Sequence, residues 1–159
     1  LAAAKNSGLA VCLMHMQGEP SFMQNAPRYA GIVAEVAGFL RQRIEACVQA
    51  GIDRSLLLLD PGFGFGKTLQ HNLLLLNHLD AFAGLELPLL VGMSRKSMIG
   101  SVLNKPVEER FYGSLALAVM AVQKGAGIIR VHDVGPTMDA LRMAVAVMQV
   151  SPDQEEGKI

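Results

Sequence analysis

The segment Leu59-Asp60-Pro61-Gly62-Phe63-Gly64-Phe65-Gly66-Lys67-Thr68 sets a carboxylate, three alternating glycines, a cation and a hydroxyl close together. An aspartate at the end of an apolar run offers two acceptor oxygens to a ligand, and the glycines let the backbone turn tightly and approach it. Neither nucleotide fingerprint fits. A G-x-x-x-x-G-K-[ST] loop would need glycine where Pro61 stands, and G-x-G-x-x-G counted from Gly62 and Gly64 would need it where Lys67 stands. The plain alternative is a turn in which Asp60 caps its own loop. A second segment, Gly92-Met93-Ser94-Arg95-Lys96-Ser97, puts hydroxyls and cations at the mouth of a short helix candidate. Free N–H groups and the helix dipole would make an anion site there. A solvated basic turn is the alternative. In the third, Ile128-Ile129-Arg130-Val131-His132-Asp133, strand alternation puts Arg130 and His132 on one face. A cationic pair on an apolar strand needs an anionic ligand, or Arg130 pairs internally with Asp60 or Asp133. His71 and His78 read as surface residues in or beside a helix, and no H-E-x-x-H, G-x-S-x-G or Cys/His ligand spacing occurs.

These residues need elements to position them. Apolar runs at Leu9–His15, Leu56–Asp60, Leu89–Gly92 and Gly127–Val131 read as strands, and their lack of polar alternation suits parallel strands covered on both faces. Helical stripes occupy Ile32–Ala50, Thr68–Leu79, Gly113–Lys124 and Thr137–Val150, with Ser97–Leu103 as a short extra helix. Strand then helix, four times over, gives an α/β architecture with a parallel sheet. Met14-His15-Met16-Gln17, Asp60, Ser94-Arg95-Lys96 and Arg130 with His132 all fall at carboxyl ends of runs. A barrel collects residues from every strand end into one site, whereas an open sheet uses one crevice, so the pattern favours a barrel.

Composition narrows the partners. Fourteen basic residues balance fourteen acidic ones over 159 residues, which leaves no summed field to gather nucleic acid or an anionic membrane. A hydrophobic content of 51% supports one globular domain over residues 1–150, with the polar residues 151–159 as a loose tail. Cys12 and Cys47 form no C-x-x-C pair, and no apolar run is long enough to span a bilayer, so a cytoplasmic protein is expected. The opening Leu1-Ala-Ala-Ala-Lys5 looks like the tail of a helix begun earlier, a hint of a fragment.

Four segments together carry a resemblance. Met14-His15-Met16-Gln17-Gly18, Leu58 to Lys67, Val91-Gly92-Met93-Ser94-Arg95-Lys96-Ser97 and Ile129-Arg130-Val131-His132-Asp133-Val134 resemble, in order and spacing, the signatures of the dihydropteroate synthase family. The likeness runs from about Gly8 to Val150. It implies the C-terminal half of a TIM (β/α)8 barrel, with the fifth to eighth βα units present and everything before the fifth strand absent. Arg110-Phe111-Tyr112-Gly113-Ser114 departs from it in carrying bulky residues where smaller ones are expected.

By that resemblance the complete protein is a transferase of folate biosynthesis that condenses dihydropterin methyl diphosphate with p-aminobenzoate. Met14, Asp60, Lys96 and Arg130 would then hold the pterin, and Arg130 and His132 the diphosphate. Phe65, Ser94 and Lys96 would meet p-aminobenzoate. Mg²⁺ would accompany the diphosphate, with its protein ligand in the missing half, and the complete protein would be a homodimer. The 159-residue chain alone would be inactive. Two other readings use the same residues: a different pterin-binding barrel, such as a methyltetrahydrofolate methyltransferase, and a half-barrel serving only as an interaction module.

Overall fold

The computed structural model describes residues 1–19, 23 and 27–151. Among them, α1 (Ala2–Ser7) leads to β1 (Val11–Met14), α2 (Ile32–Gln49), β2 (Leu57–Asp60), α3 (Leu69–Asn77), β3 (Leu90–Val91), α4 (Ser97–Leu103), α5 (Phe111–Gln123), β4 (Ile128–Ile129) and α6 (Val134–Gln149). The class is α/β, and every described strand pairing is parallel. β1 lies beside β2 with Met14 opposite Asp60, a bridge between Leu59 and Leu89 joins β2 to the start of β3, and β3 pairs with β4. The strands are shorter than the apolar runs, but the hydrogen bonding continues past them: His15 N–H donates to the Asp60 carbonyl at 3.0 Å and Arg130 N–H to that of Val91 at 2.8 Å.

Among the described residues only one face of this sheet is covered. Leu13, Leu57, Leu59, Leu89 and Val91 are buried on the helix side with Ile32, Val36, Leu40, Ile44 and Cys47, the apolar stripe of α2. Their alternates Cys12, Met14 and Ile128 are exposed. Continuous apolar strands read as covered on both faces, but the second face is left open by the described residues. The residues expected to do chemistry stand at the carboxyl end of this open face.

Local chemistry explains where helices begin. Thr68 caps α3 by accepting from His71 N–H at 3.2 Å, while the His71 ring takes the Thr68 N–H at 3.2 Å. His71 is thus half of a capping box, half-buried and edge-on to Tyr29, and not a plain surface residue. The 3-10 helix Leu79–Leu85 was not anticipated. It buries Leu79, Phe82 and Leu85, whose spacing of three matches its three residues per turn and not an α-helical stripe. α6 starts three residues ahead of the expected Thr137, because Pro136 is tolerated in a first turn whose N–H groups lack partners anyway. No helix among the described residues is long and apolar enough to cross a membrane. Residues 152–159 of the expected tail lie outside the described residues.

Candidate active site

Asp60 ends β2 and is 5% exposed. Its Oδ1 accepts the Gly62 N–H at 2.7 Å, so it does cap its own loop. Its other oxygen has no hydrogen-bond partner among the described residues and is not sealed off from solvent. That oxygen is available to a ligand's donor. Burial raises the Asp60 carboxyl above the usual carboxylate range, while the Gly62 N–H and the charges of Lys96, Arg130 and Lys67 pull it back. Met14, beside Asp60 in the register, adds an exposed apolar wall.

The loop after Asp60 is pinned from several sides. Gly64 N–H donates to Asn72 Oδ1 at 2.7 Å, and the Gly66 carbonyl accepts from Tyr29 Oη at 2.9 Å. Gly62 has φ 72° and Gly66 φ 60°, and an added Cβ would run into the carbonyl oxygens of His15 and Gln17 respectively. Gly62→Ala combines a left-handed conformation with that collision, so it should destabilise the complete protein by more than the roughly 1–2 kcal/mol of the conformational cost alone. A urea midpoint shows this directly, and an unshifted midpoint would mean the loop relaxes freely.

Lys96 approaches the same loop from the β3 side. Its ammonium donates to the Phe63 carbonyl and lies 4.6 Å from the centre of the Phe65 ring. Burial lowers Lys96 to about 8, with Asp60 opposing the shift and Arg130 adding to it. Arg130 follows β4 and is exposed, its guanidinium lying across Gly92, where an added side chain would displace it. No ion pair among the described residues involves Arg130, so the internal pairing with Asp60 or Asp133 is not found. His132 Nδ1 sits 2.9 Å from Ser94 Oγ. Gly92, Ser94, Lys96, Arg130, Val131 and His132 line one cleft of about 180 Å³. By volume alone it would hold roughly half a dozen waters, enough for an anionic group.

Residues 1–132 match the family model described as pterin binding enzyme. The chain belongs to the pterin-binding enzyme family. It is 54% identical over 154 residues to the dihydropteroate synthase of Escherichia coli (strain K12), covering 97% of this chain and 55% of that protein. It is similar to the Yersinia pestis dihydropteroate synthase solved with a sulfonamide drug complex, with a TM-score of 0.92 and 53% identity over 94% of this chain and 55% of that one. A third relative, the Xanthomonas albilineans dihydropteroate synthase in complex with 7,8-dihydropteroate, gives a TM-score of 0.87 and 44% identity over 94% of this chain and 55% of that one. The chain thus spans about half the length of the relatives it matches.

In this pterin-binding family member the residues singled out from sequence fall into two groups that meet. Asp60, Phe65 and Lys96 gather around the glycine loop, with Met14 beside Asp60, while Ser94, Arg130 and His132 join Lys96 in the cleft. The basic Ser94-Arg95-Lys96 turn is not simply solvated. Arg95, at φ 58°, forks onto Asp133 at 2.8 and 2.9 Å, and its N–H donates to Ser114 Oγ at 2.9 Å. Arg110 donates to the Arg95 carbonyl at 3.0 Å, which gives the unassigned Arg110–Ser114 stretch a structural task. This bidentate pair ties the turn to the start of α6. α4 runs over Ser97–Leu103 as expected, with Lys96 as its cap, and Ser94 ahead of it is not free at the helix mouth, because its hydroxyl sits 2.9 Å from His132 Nδ1.

Sequence reasoning quoted Lys67 and His15 within their segments but gave neither a role of its own. Lys67 is 3% exposed and His15 6%, and Lys67 Nζ lies 2.9 Å from His15 Nδ1. The signal was present, since His15 shares strand parity with buried Leu13 and not with exposed Met14.

Proposed function

We propose that this chain is the C-terminal half of a dihydropteroate synthase barrel, with residues 1–150 forming the fifth to eighth βα units and 151–159 a polar tail. The observation that carries the reading is the meeting, at the strand ends, of a buried carboxylate with one unpartnered oxygen and a cleft lined by Lys96, Arg130 and His132. Pterins present adjacent ring and amino N–H donors, which a carboxylate accepts as a pair, and a diphosphate calls for cations. Relatives named as dihydropteroate synthases, one of them solved with 7,8-dihydropteroate, support the same substrates.

In the reaction the amine nitrogen of p-aminobenzoate bonds to the methylene carbon of the dihydropterin, the bond from that carbon to the diphosphate oxygen breaks, and the amine loses a proton. Asp60 holds the pterin through its unpartnered oxygen, Met14 packs on the ring, and Lys96 addresses the pterin's polar edge with its ammonium. Arg130 stacks on the ring and reaches the diphosphate, while His132 stabilises the charge that builds on the leaving oxygens. Phe65 packs on the p-aminobenzoate ring, and the Ser94–Lys96 turn receives its carboxylate. Mg²⁺ belongs to this proposal as the diphosphate's counter-ion, with its ligand supplied by the other half. Among the described residues no three His, Cys, Asp or Glu side chains converge to hold a metal, so no step here runs through one. Exposed Tyr112, Met120, Met143 and Val147 on α5 and α6 support a helix-mediated homodimer of the complete, cytoplasmic protein.

The test separates anion binding from pocket shape. In the complete protein, Arg130→Ala or His132→Ala should weaken a pterin methyl diphosphate by about tenfold or more, and a pterin lacking the diphosphate far less, because a charged hydrogen-bond partner is lost only in the first case. Calorimetric titration of both ligands reads the ratio. Equal losses would remove the two residues from the diphosphate site.

A further inference from the structure

Lys67 is 3% exposed at the edge of the apolar core, and burial lowers its amine to about 7, with Asp60 opposing the shift and Lys96 adding to it; none of the substrate-binding roles above uses it. Its Nζ donates to the carbonyls of Gly62 at 2.8 Å and Phe65 at 3.0 Å and to His15 Nδ1 at 2.9 Å, with the His15 carbonyl at 3.4 Å. In the ammonium form each of its three protons has an acceptor, and those acceptors belong to both the loop after β2 and the end of β1. His15 is held for this purpose: its ring stands edge-on to Phe39 at 5.0 Å and tilted against Tyr29 at 6.0 Å. Burial, then the Lys67 charge, lowers His15 to about 4, so the ring is neutral near pH 7 and Nδ1 is free to accept. Gly62, whose carbonyl Lys67 grips, is the residue whose N–H fixes Asp60 Oδ1.

We infer that Lys67 is a positioning residue for pterin recognition, staking the 62–66 loop to His15 at the end of β1 so that the Gly62 N–H aims the Asp60 carboxylate into the site. The inference rests on the pterin reading of Asp60 given above. A buried lysine that merely filled space would be replaceable by an apolar chain of similar length, whereas this one ties the loop after β2 to the end of β1, adding side-chain bonds to the backbone bond from His15 N–H to the Asp60 carbonyl.

The experiment compares four variants of the complete protein: Lys67→Met, His15→Leu, His15→Asn and, as a stability control, Phe82→Leu. Phe82 is fully buried in the 3-10 helix that leads into the amino end of β3, away from the strand ends that form the site. Lys67→Met should weaken a pterin analogue roughly tenfold or more, while p-aminobenzoate affinity changes by less than about threefold. His15→Leu should follow it, and His15→Asn, which restores an acceptor near Nδ1, should recover most of the loss. Phe82→Leu should lower thermal stability without changing pterin affinity. If Lys67→Met loses no more pterin affinity than Phe82→Leu, or if His15→Asn fails to recover what His15→Leu loses, the assignment is overturned. Should the unsubstituted protein bind no pterin, the functional reading fails by itself. Hydrogen-exchange protection of the Gly62 amide then decides the Lys67 assignment alone, lost in Lys67→Met if the staking is real and unchanged if it is not.

Discussion

In the complete protein Asp60→Asn lowers affinity for a pterin analogue by about tenfold or more, the loss expected when buried donors are left facing a donor. The substitution is a narrow one. Asn keeps an Oδ1 for the Gly62 N–H, so the loop retains the 2.7 Å bond that shapes it, but the second oxygen becomes an amide that meets the ring's N–H groups head on. The acid response gives an independent check. Burial raises the folded Asp60 carboxyl above its ordinary value of 3.8, so the folded protein holds this proton more tightly than the unfolded chain does. As pH rises through that window the free protein loses stability, because an ionised carboxylate is costly to bury. A pterin's donors offset that cost only for the ionised form. Pterin affinity should therefore fall as pH drops through the folded Asp60 value, and Asp60→Asn should be flat over the same window. Titration at several pH values tests both, and unchanged affinity in the variant would take Asp60 out of the pterin site.

Asp60, Lys96, Arg130 and His132 were legible because each is a polar residue closing an apolar run, and parallel strands carry their ligands at carboxyl ends. The α2 stripe was legible through its helical period, observed from Ile32 to Gln49 as expected within a residue. Contacts between distant segments were not. The Lys67–His15 link spans 52 residues and the Arg95–Asp133 fork 38, and a linear pattern carries no sign of either until the register puts β1 beside β2 and the β3 turn beside α6. Lys67 was also hidden by its neighbourhood, since a lysine after a glycine run invites a phosphate-loop comparison, and failing that comparison left it without a task. The Leu79–Leu85 turn escaped because its three-residue spacing matches neither helix nor strand.

The largest effect concerns the whole chain: residues 1–159 alone should form no dihydropteroate. A complete barrel of this kind needs about 250 residues and eight strands. Four are described here, with one edge of β1 and one edge of β4 unpaired among the described residues and Cys12, Met14 and Ile128 exposed on the open face. Unpaired edges and an uncovered apolar face draw another chain. On this account Asp60, Lys96, Arg130 and His132 are present, yet the opposite wall of the pterin pocket and the metal ligand are not. The missing strands should come from an N-terminal half, and the Escherichia coli relative, 54% identical over the shared part, can supply one. The most direct measurement is an assay of dihydropteroate formation with Mg²⁺, dihydropterin methyl diphosphate and p-aminobenzoate, run on this chain, on that N-terminal half, and on the two together. Turnover in the mixture, with none in either half, is the expected result. Turnover by residues 1–159 alone as a monodisperse monomer, or none in a mixture that light scattering shows to be a stable complex, would contradict it.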